Sequence, residues 1–361
     1  MKKMNLQLFA EKNIMDVVAS PEIAAFWEEK KKALPPFLGE ELFPNDKQVG
    51  MKLSWVKGAA GNPIALRPSA FDANVIPRER GNLEEVIAKM IFFKESYYID
   101  EEVRQQLQMI GQGANQGVRN ILLKKIFDDA TNLVQAAAVR REMMRMQMLT
   151  SGIITLAENG QSYDIDYGIP SNHKGYAETD WSNTSNADPI EDLEKSIAVL
   201  AAKGITITRM IMNSSTFRHL RNSAKIKASI LGNNANAQAA KVSKTLVLDY
   251  ISEELKVQVV VYDKMGTDGA GTRKYIPDNK VILLPDGKLG NTWFGTTPEE
   301  ADLSAASNIA KVSIVDTGVA ISTYKKPDPV TVETKVSMIH LPSFEQGDNI
   351  FILTTTEDPD A

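Results

Sequence analysis

The chain has 361 residues, of which 43% are hydrophobic, enough to bury a large core in two domains or in one domain with extensions. Its formal net charge of −5 excludes a strongly basic nucleic-acid binder that neutralises many phosphates. The absence of cysteine excludes disulfides, thiolate metal sites and cysteine nucleophiles. No stretch approaches the ~18 consecutive apolar residues of a membrane span. The sequence therefore predicts a soluble protein, made in the cytoplasm, with no membrane partner.

Residues 1–46 are predicted to form an N-terminal arm. Ser20 and Pro21 are typical of a helix cap and a first helical position, so a short helix should follow and end before Pro35. The arm carries more large apolar side chains than so short a segment can bury. We expect these side chains to pack on another surface, in this subunit or in the next one. They include Phe26, Trp27, Phe37 and Phe43.

Residues 47–98 are predicted to form an extended two-stranded loop. Residues 49–56 alternate as a half-buried strand does, and the segment MIFFKESYYI at 90–99 returns to the body. The turn residues at 58–63 predict a tip that is mobile in a free subunit. Because an isolated pair of strands is marginally stable in water, this loop should lie on a partner. The apolar face of its first strand consists of Met51, Leu53 and Trp55.

A single long helix is predicted over residues 116–150, which contain no proline and no glycine after Gly117. At ~1.5 Å rise per residue it is a rod about 50 Å long. Apolar residues recur along it at spacings of three, four or seven and form one stripe. The rod therefore joins distant parts of one subunit. The stripe consists of Val118, Leu122, Ile126, Ala130, Leu133, Ala137, Met144 and Met148.

An alternation of helices and strands follows the long helix. Asn159 and Gly160 predict a hairpin between residues 152–156 and 163–167. Asp188 and Pro189 predict the start of a capped helix, which Gly204 ends. Further strands are predicted at 205–212, 257–262, 281–284 and 291–294, with helices near 215 and 246–251. Late strands at 330–338 and 350–354 need neighbours, and we expect the hairpin to supply them.

Chemical motifs are missing from the sequence. His173, His219 and His340 are scattered, without metal-ligand spacing, and are interpreted as surface or satisfied core residues. No nucleotide or hydrolase motif occurs, so no cofactor, no metal and no enzymatic activity is predicted. Near the end of the long helix, a cluster of three arginines admits two interpretations, a DNA-facing patch or ion pairs at a packed surface, of which the second is more common. The three are Arg140, Arg141 and Arg145.

The order of parts, together with specific strings, resembles the lambda-type major capsid proteins of tailed bacteriophages, which have the HK-ninety-seven-like fold. The resemblance covers nearly the whole chain. The strings that carry it are NLQLFAEKN, FLGEELFPNDKQVGMKLSWVKG, GIITLAENGQSYDIDYG, TDWSNTSNADPIEDLEKSI, YIPDNKVILLPDGKLGNTWFG and VSMIHLPSFEQGDNIFILTT.

This resemblance implies an α+β fold with an arm, an extended β-hairpin loop, a peripheral domain with a long spine helix, and an α/β axial domain. The peripheral domain would comprise 99–187 and the final strands at 326–361, and the axial domain 188–325. The implied function is self-assembly, as hexamers and pentamers, into an icosahedral shell around double-stranded DNA. The large apolar residues of arm and loop then become candidate contacts between subunits. Removing residues 1–46 should leave a folded subunit that fails to close shells.

The resemblance also implies partners and a location. A portal protein is expected, and a separate scaffolding protein, because no long acidic helical segment separates arm and loop. A decoration protein is a further candidate partner, and packaged DNA should be contacted weakly and without sequence specificity. The location is the virion capsid, assembled in the cytoplasm of the host bacterium.

Two other functions remain open from the sequence. One is an encapsulin-like cellular compartment of the same fold, which encloses an enzyme. The other is an α/β enzyme that uses an unrecognised carboxylate pair within residues 188–295. Carboxylates such as Glu101, Glu102 and Glu300 are present, but no pattern in the sequence brings them together.

Overall fold

The fold was analysed in a computed structural model that describes residues 19–57, 84–103, 105, 116–232, 240–304, 311–328 and 330–359. The predicted loop tip at 58–63 and the N-terminal string NLQLFAEKN lie outside the described residues. The mobility expected of that tip therefore stays a prediction.

The arm contains helix α1 (Ser20–Lys31), the short helix α2 (Leu38–Leu42) and strand β1 (Asn45–Lys47). The predicted start of α1 is confirmed, but its cap is not. Ala19 occupies the N-cap position, and no side chain caps the helix. Ser20 is fully buried instead, with its hydroxyl 3.4 Å from that of Ser313. The arm is thus packed on the body from the first turn of α1.

The extended loop is a two-stranded ribbon, but its second strand differs from the predicted one. Strand β2 (Lys52–Lys57) pairs antiparallel with β3 (Glu84–Lys89), whereas the return segment becomes a separate strand, β4 (Ile91–Ile99). Strand β4 pairs along its whole length with residues 332–340 of the C-terminal region. The predicted return strand thus belongs, by its hydrogen bonding, to a sheet of the body.

The long helix α3 (Gln116–Ser151) is unbroken over 36 residues, which confirms the prediction. Of the predicted stripe, Ala130, Leu133, Ala137, Met144 and Met148 are buried. The helix leads into the hairpin of β5 (Ile153–Glu158) and β6 (Gln161–Asp166), also as predicted.

The positive φ angles of Asn159 (51°) and Gly160 (72°) explain why this dipeptide makes the hairpin turn.

The next region builds a five-stranded sheet with helices around it. Asp188 caps its first helix by accepting a hydrogen bond from the Glu191 amide, as predicted. The sheet has the order β7-β17-β12-β8-β9. Up to residue 284 the elements are β7 (Lys174–Tyr176), α4 (Pro189–Ala201), β8 (Arg209–Met212), α5 (Ser214–Asn222), α6 (Ala224–Leu231), α7 (Lys244–Leu255), β9 (Gln258–Val261), the hairpin β10 (Met265–Asp268) and β11 (Gly271–Lys274), and β12 (Lys280–Leu284).

The last part of the chain forms most of a six-stranded sheet. This part of the chain contains β13 (Thr292–Phe294), α8 (Pro298–Ser304), β14 (Lys311–Val315), β15 (Val319–Pro327), β16 (Val330–Pro342) and β17 (Phe351–Thr354). The strands of the six-stranded sheet have the order β1-β13-β16-β15-β14, with β4 on the opposite side of β16 from β15.

The expected pairing of the late strands with the hairpin is wrong. Strand β16 pairs with β15, β13 and β4, while β17 joins the other sheet between β12 and β7. Strands β14 and β15 were not predicted from the sequence. Strand β15 pairs with β16, and β14 pairs with β15. The hairpin β5–β6 stays a separate two-stranded sheet. Helix α3 packs across the six-stranded sheet, so the mixed helix-and-sheet class is confirmed.

Candidate assembly interface

The last third of α3 carries a cluster of buried charges. Arg141, Glu142 and Arg145 are each no more than 1% exposed. The aliphatic parts of these three side chains can be buried at little cost. Their charged groups need partners, because an isolated charge in the interior is very costly. The partners come from distant parts of the chain.

Arg141 pairs with Asp316, which lies in the turn between β14 and β15. The Arg141 Nη2 atom donates a hydrogen bond of 2.8 Å to Asp316 Oδ2, and Lys31 of the arm donates to the other carboxylate oxygen. Burial opposes ionisation of Asp316, but the charge of Arg141 and the contacts with Lys31 outweigh it and lower its pKa. The turn between two strands is thereby held to both α3 and the arm.

Arg145 and Glu142 hold the rest of the arm. Arg145 Nε donates to the Thr292 hydroxyl (2.8 Å), and its Nη2 donates to Asn45 Oδ1 (2.6 Å). Burial and the charge of Arg141 lower the Arg145 pKa to about 10. Glu142 accepts hydrogen bonds from the Gly39 amide (3.1 Å) and from the Tyr262 hydroxyl (2.8 Å).

Burial raises the pKa of Glu142, and the charge of Arg145 together with the Tyr262 and Gly39 hydrogen bonds partly offsets that rise. Gly39 is required here by space. A Cβ atom at this position would overlap the Glu142 carboxylate and lie 2.7 Å from Arg145 Cδ. The cluster therefore fixes the arm on α3 through Lys31, Gly39 and Asn45.

This placement corrects the DNA-facing assignment of the arginines. Arg141 and Arg145 are enclosed in the subunit, and Arg140 Nη2 donates to both carboxylate oxygens of Glu158 (2.9 and 2.7 Å). The ion-pair interpretation accounts for all three. The sequence signal that pointed to it was the presence of arginine among methionines at helical spacing.

The candidate contact residues of arm and loop also need correction. Four of the seven candidate residues are already buried within one subunit and do not need a neighbouring subunit to cover them. They are Trp27 (1% exposed), Phe43 (0%), Leu53 (0%) and Trp55 (6%). Phe26 and Phe37 are half-buried, with their rings 5.5 Å from Phe127 and 6.0 Å from Tyr275. Met51 is 40% exposed and remains a candidate contact residue between subunits.

Burial of the arm also revises the expectation that the subunit folds without residues 1–46. Ile23 and Trp27 form one hydrophobic cluster with Phe127 and Val134 of α3 and with residues of the six-stranded sheet. Removal of the arm would expose this cluster.

The outer face of the ribbon presents apolar residues that the sequence reading missed. Leu53 and Trp55 face the body, together with their cross-strand partners, so Val56 and Ile87 face outward, at 52% and 67% exposure. Val49, just before the ribbon, is 95% exposed. The available signal was the run of three apolar residues Val86, Ile87 and Ala88, because successive side chains of a strand point to opposite faces. A ribbon with apolar groups on both faces is typical of a surface that another molecule covers.

The structure also places the three histidines. His340 is fully buried between the rings of Phe93 and Phe294, and neither ring nitrogen has a hydrogen-bond partner among the described residues. Burial, and then the charge of Arg141, hold its pKa well below the usual range, so it is neutral. The expectation of a satisfied core histidine is wrong for His340. His173 is also buried, beside Lys203, and His219 is half-buried.

Within the described ranges there is no group of histidine and acidic side chains that could hold a metal ion. In the same ranges, no helix is both long and apolar enough to cross a membrane.

Comparisons with known proteins agree with this architecture. Residues 21–355 match the model of the family described as phage major capsid protein E. The chain is similar in structure to a protein assigned as the capsid protein of a prophage in Escherichia coli CFT073, with a TM-score of 0.59 and 14% identity over 93% of this chain and 98% of that one. It is also similar to a phage-related protein from Bordetella bronchiseptica RB50, with a TM-score of 0.55 and 12% identity over 95% and 99%. The capsid of cyanophage A-1(L) has a TM-score of 0.50 and 13% identity over 89% and 92%.

Proposed function

Because this chain belongs to the phage major capsid protein E family, we propose that it assembles as hexamers and pentamers into an icosahedral shell enclosing double-stranded DNA. Its location is the virion capsid, and its first partner is further copies of itself. The observation that carries the proposal is the family match, which spans residues 21–355 and therefore includes arm, ribbon, spine helix and both sheets.

The ribbon supports a contact between subunits. Its inner face is already buried on its own subunit, so the outer face is the part that remains to be covered. We propose that Val56 and Ile87 of this outer face lie against a neighbouring subunit in the shell, together with Met51, which precedes the ribbon and is 40% exposed. Removing such side chains from water contributes about 25 cal/mol per Å² before ordering costs are subtracted.

The domain division is proposed with two changes. The arm, the ribbon, the peripheral region around α3 and the axial region keep their order. Strand β4 is assigned to the peripheral sheet, because it pairs with β16. Strand β17 is assigned to the axial sheet, because it pairs with β12 and β7.

Further partners are proposed on the same basis. We propose a portal protein, a separate scaffolding protein and a decoration protein, with assembly in the cytoplasm of the bacterial host. The proposal of separate scaffolding is supported by the direct passage from α2 through β1 to β2, with no long acidic helix between them. Contacts with packaged DNA are proposed to be weak and non-specific, and they do not involve the enclosed Arg141 and Arg145.

A structural role is favoured over both alternatives. The family is one of capsid proteins, so we propose that the chain catalyses no reaction. The encapsulin-like compartment is not favoured, because the family match is to phage major capsid proteins.

The test is purification of the chain, alone and with the proteins encoded beside it, followed by negative-stain electron microscopy. Closed isometric particles are the expected result. A chain that stays monomeric in both preparations would overturn the proposal.

A further inference from the structure

A basic cleft lies beside helix α5 in the axial region. It has a volume of about 500 Å³, and four cationic side chains line it against the single carboxylate of Asp263. They are Arg218, Arg221, Lys244 and Lys274. Lys274 is held by Asp278 at 2.7 Å, and Lys244 lies over the Phe217 ring.

The two arginines of this basic cleft have no acidic partner within the subunit, as far as the structure describes it. Among the described residues, neither Arg218 nor Arg221 has a carboxylate partner, in contrast to the three arginines of α3. Arg218 is exposed and Arg221 half-buried, so both are accessible from solvent. A guanidinium group is a planar fork of donors that suits carboxylates and phosphates. The basic cleft therefore fits an acidic ligand.

An acidic cleft of similar size occurs in the same region. It has a volume of about 480 Å³ and is lined by three carboxylates and one ammonium group: Asp188, Glu191, Glu194 and Lys225. Lys225 is bound to Asp188 at 2.8 Å. Glu191 is paired with Lys195 at 3.0 Å. Glu194 is exposed and has no cationic partner in the part of the chain that the structure describes.

The charges of the two clefts have the same spacing. Arg218 and Arg221 are three residues apart on α5, and Glu191 and Glu194 are three residues apart on α4. Residues three apart on a helix share a face, with Cβ atoms about 5–6 Å apart. Two arginine–glutamate pairs can therefore form at once between α5 of one copy and α4 of another.

We propose that the surface around the basic cleft of one subunit lies against the surface around the acidic cleft of a second copy, with Arg218 and Arg221 facing Glu191 and Glu194 of that copy. This inference rests on the proposed function. Because the two surfaces are different, each contact leaves one free cleft of each sign, and repetition of the contact closes a ring when the rotation between neighbouring subunits divides a full turn. The pair of clefts thus sets the order of subunits around an axis of the shell.

A second copy fits this cleft better than a nucleic acid does. The basic cleft is local, in a chain whose net charge is −5, and Asp263 lies within it. Binding along a phosphate backbone favours an extended basic surface. Nucleic-acid binding would also leave the acidic cleft without a role.

The test is charge reversal with reciprocal rescue, read as the yield of particles in negative stain and light scattering at about 0.1 M salt. The double variant Arg218→Glu/Arg221→Glu is expected to lose particles about tenfold or more, because like charges then face each other. Glu191→Arg/Glu194→Arg is expected to lose them similarly. Combining all four reversals should restore the yield to within about threefold of the unmodified chain.

Matched controls separate assembly from folding. Lys241→Glu reverses an exposed charge outside both clefts, and should assemble normally. Arg218→Lys/Arg221→Lys keeps the charge, and should retain most of the yield. Unchanged thermal unfolding of the reversed variants would show that their subunits are folded.

Each outcome decides the inference. Normal particles from the Arg218→Glu/Arg221→Glu variant, or no rescue by the fourfold variant, would overturn it while leaving the proposed function intact. Normal empty shells that bind double-stranded DNA less tightly would assign the cleft to nucleic acid instead. If the unmodified chain forms neither rings nor particles, the proposed function fails as well.

Discussion

Arg141 and Asp316 form an ion pair of 2.8 Å although 175 residues separate them, and their side chains are 0% and 1% exposed. One belongs to the spine helix and the other to a turn between two strands. Asp316 adopts a left-handed backbone conformation, with a φ of 47°. The pair therefore joins the helix to the sheet at a position where neither charge can be solvated.

Replacing Asp316 with Asn is expected to lower the free energy of unfolding by about 3 kcal/mol, because Arg141 is left buried without its counter-charge. Asparagine tolerates the left-handed conformation, so backbone strain does not confuse the result. Urea denaturation of the subunit measures the effect. The control is Glu158→Gln, which breaks the more exposed pair with Arg140 and should cost about 1 kcal/mol or less. Equal losses in the two variants would contradict the assignment.

The contribution of Asp316 should depend on pH. Its pKa in the folded state lies below the ordinary value of 3.8, so its stabilisation is present above that value and is lost as pH falls through the folded-state pKa. The difference in unfolding free energy between the unmodified chain and Asp316→Asn should be constant above about pH 5 and shrink below about pH 4. A difference that stays constant down to pH 3 would show that the charge of Asp316 is not responsible.

Gly39→Ala should destabilise the junction between arm and spine helix. The added methyl group would overlap the Glu142 carboxylate and crowd Arg145. We expect a loss of about 1–3 kcal/mol in the free energy of unfolding, measured by urea denaturation. Gly269→Ala is the matched control, because its nearest neighbour would be 3.8 Å away. An unchanged free energy of unfolding in Gly39→Ala would mean that Glu142 and Arg145 can move aside at little cost.

Trp27→Ala tests whether the arm is part of the folding core. Trp27 is 1% exposed among residues of α3 and the six-stranded sheet, so its truncation should cost about 3–5 kcal/mol. Glu28→Ala, at the exposed neighbouring position, should change stability by no more than about 0.5 kcal/mol. Thermal unfolding of subunits distinguishes the two. A stable Trp27→Ala subunit that fails only in assembly would restore the arm as a contact between subunits.

Ile87→Lys tests the outer face of the ribbon. The side chain is 67% exposed, so subunit stability should stay within about 0.5 kcal/mol of the unmodified value. Particle yield in negative stain should fall, because a charge would be buried against the neighbouring subunit. Met265→Lys changes another exposed apolar residue, at 52% exposure on β10, and should leave the yield unchanged. If both variants assemble alike, the ribbon does not contact a neighbour.

Local chemistry determined a large part of this fold. The uninterrupted helix α3 follows from the lack of proline and internal glycine, and the turn at Asn159 and Gly160 follows from their tolerance of positive φ. The cap at Asp188 follows from a side chain that reaches an amide three residues later. Each of these depends on groups within a few residues of one another, so the sequence alone could specify them.

Tertiary structure decided which partners those elements meet. Strand β17 follows β16 in the chain, yet it inserts between β12 and β7 in the other sheet, and no local pattern encodes that choice. The same holds for the arginines of α3, whose sequence allowed either a DNA-facing patch or ion pairs. They became ion pairs because the fold brings Asp316 to Arg141 and Glu158 to Arg140, while Arg145 lies 3.9 Å from Glu142. Water is excluded around Arg141 and Arg145, and there an unpaired charge would cost far more than a paired one.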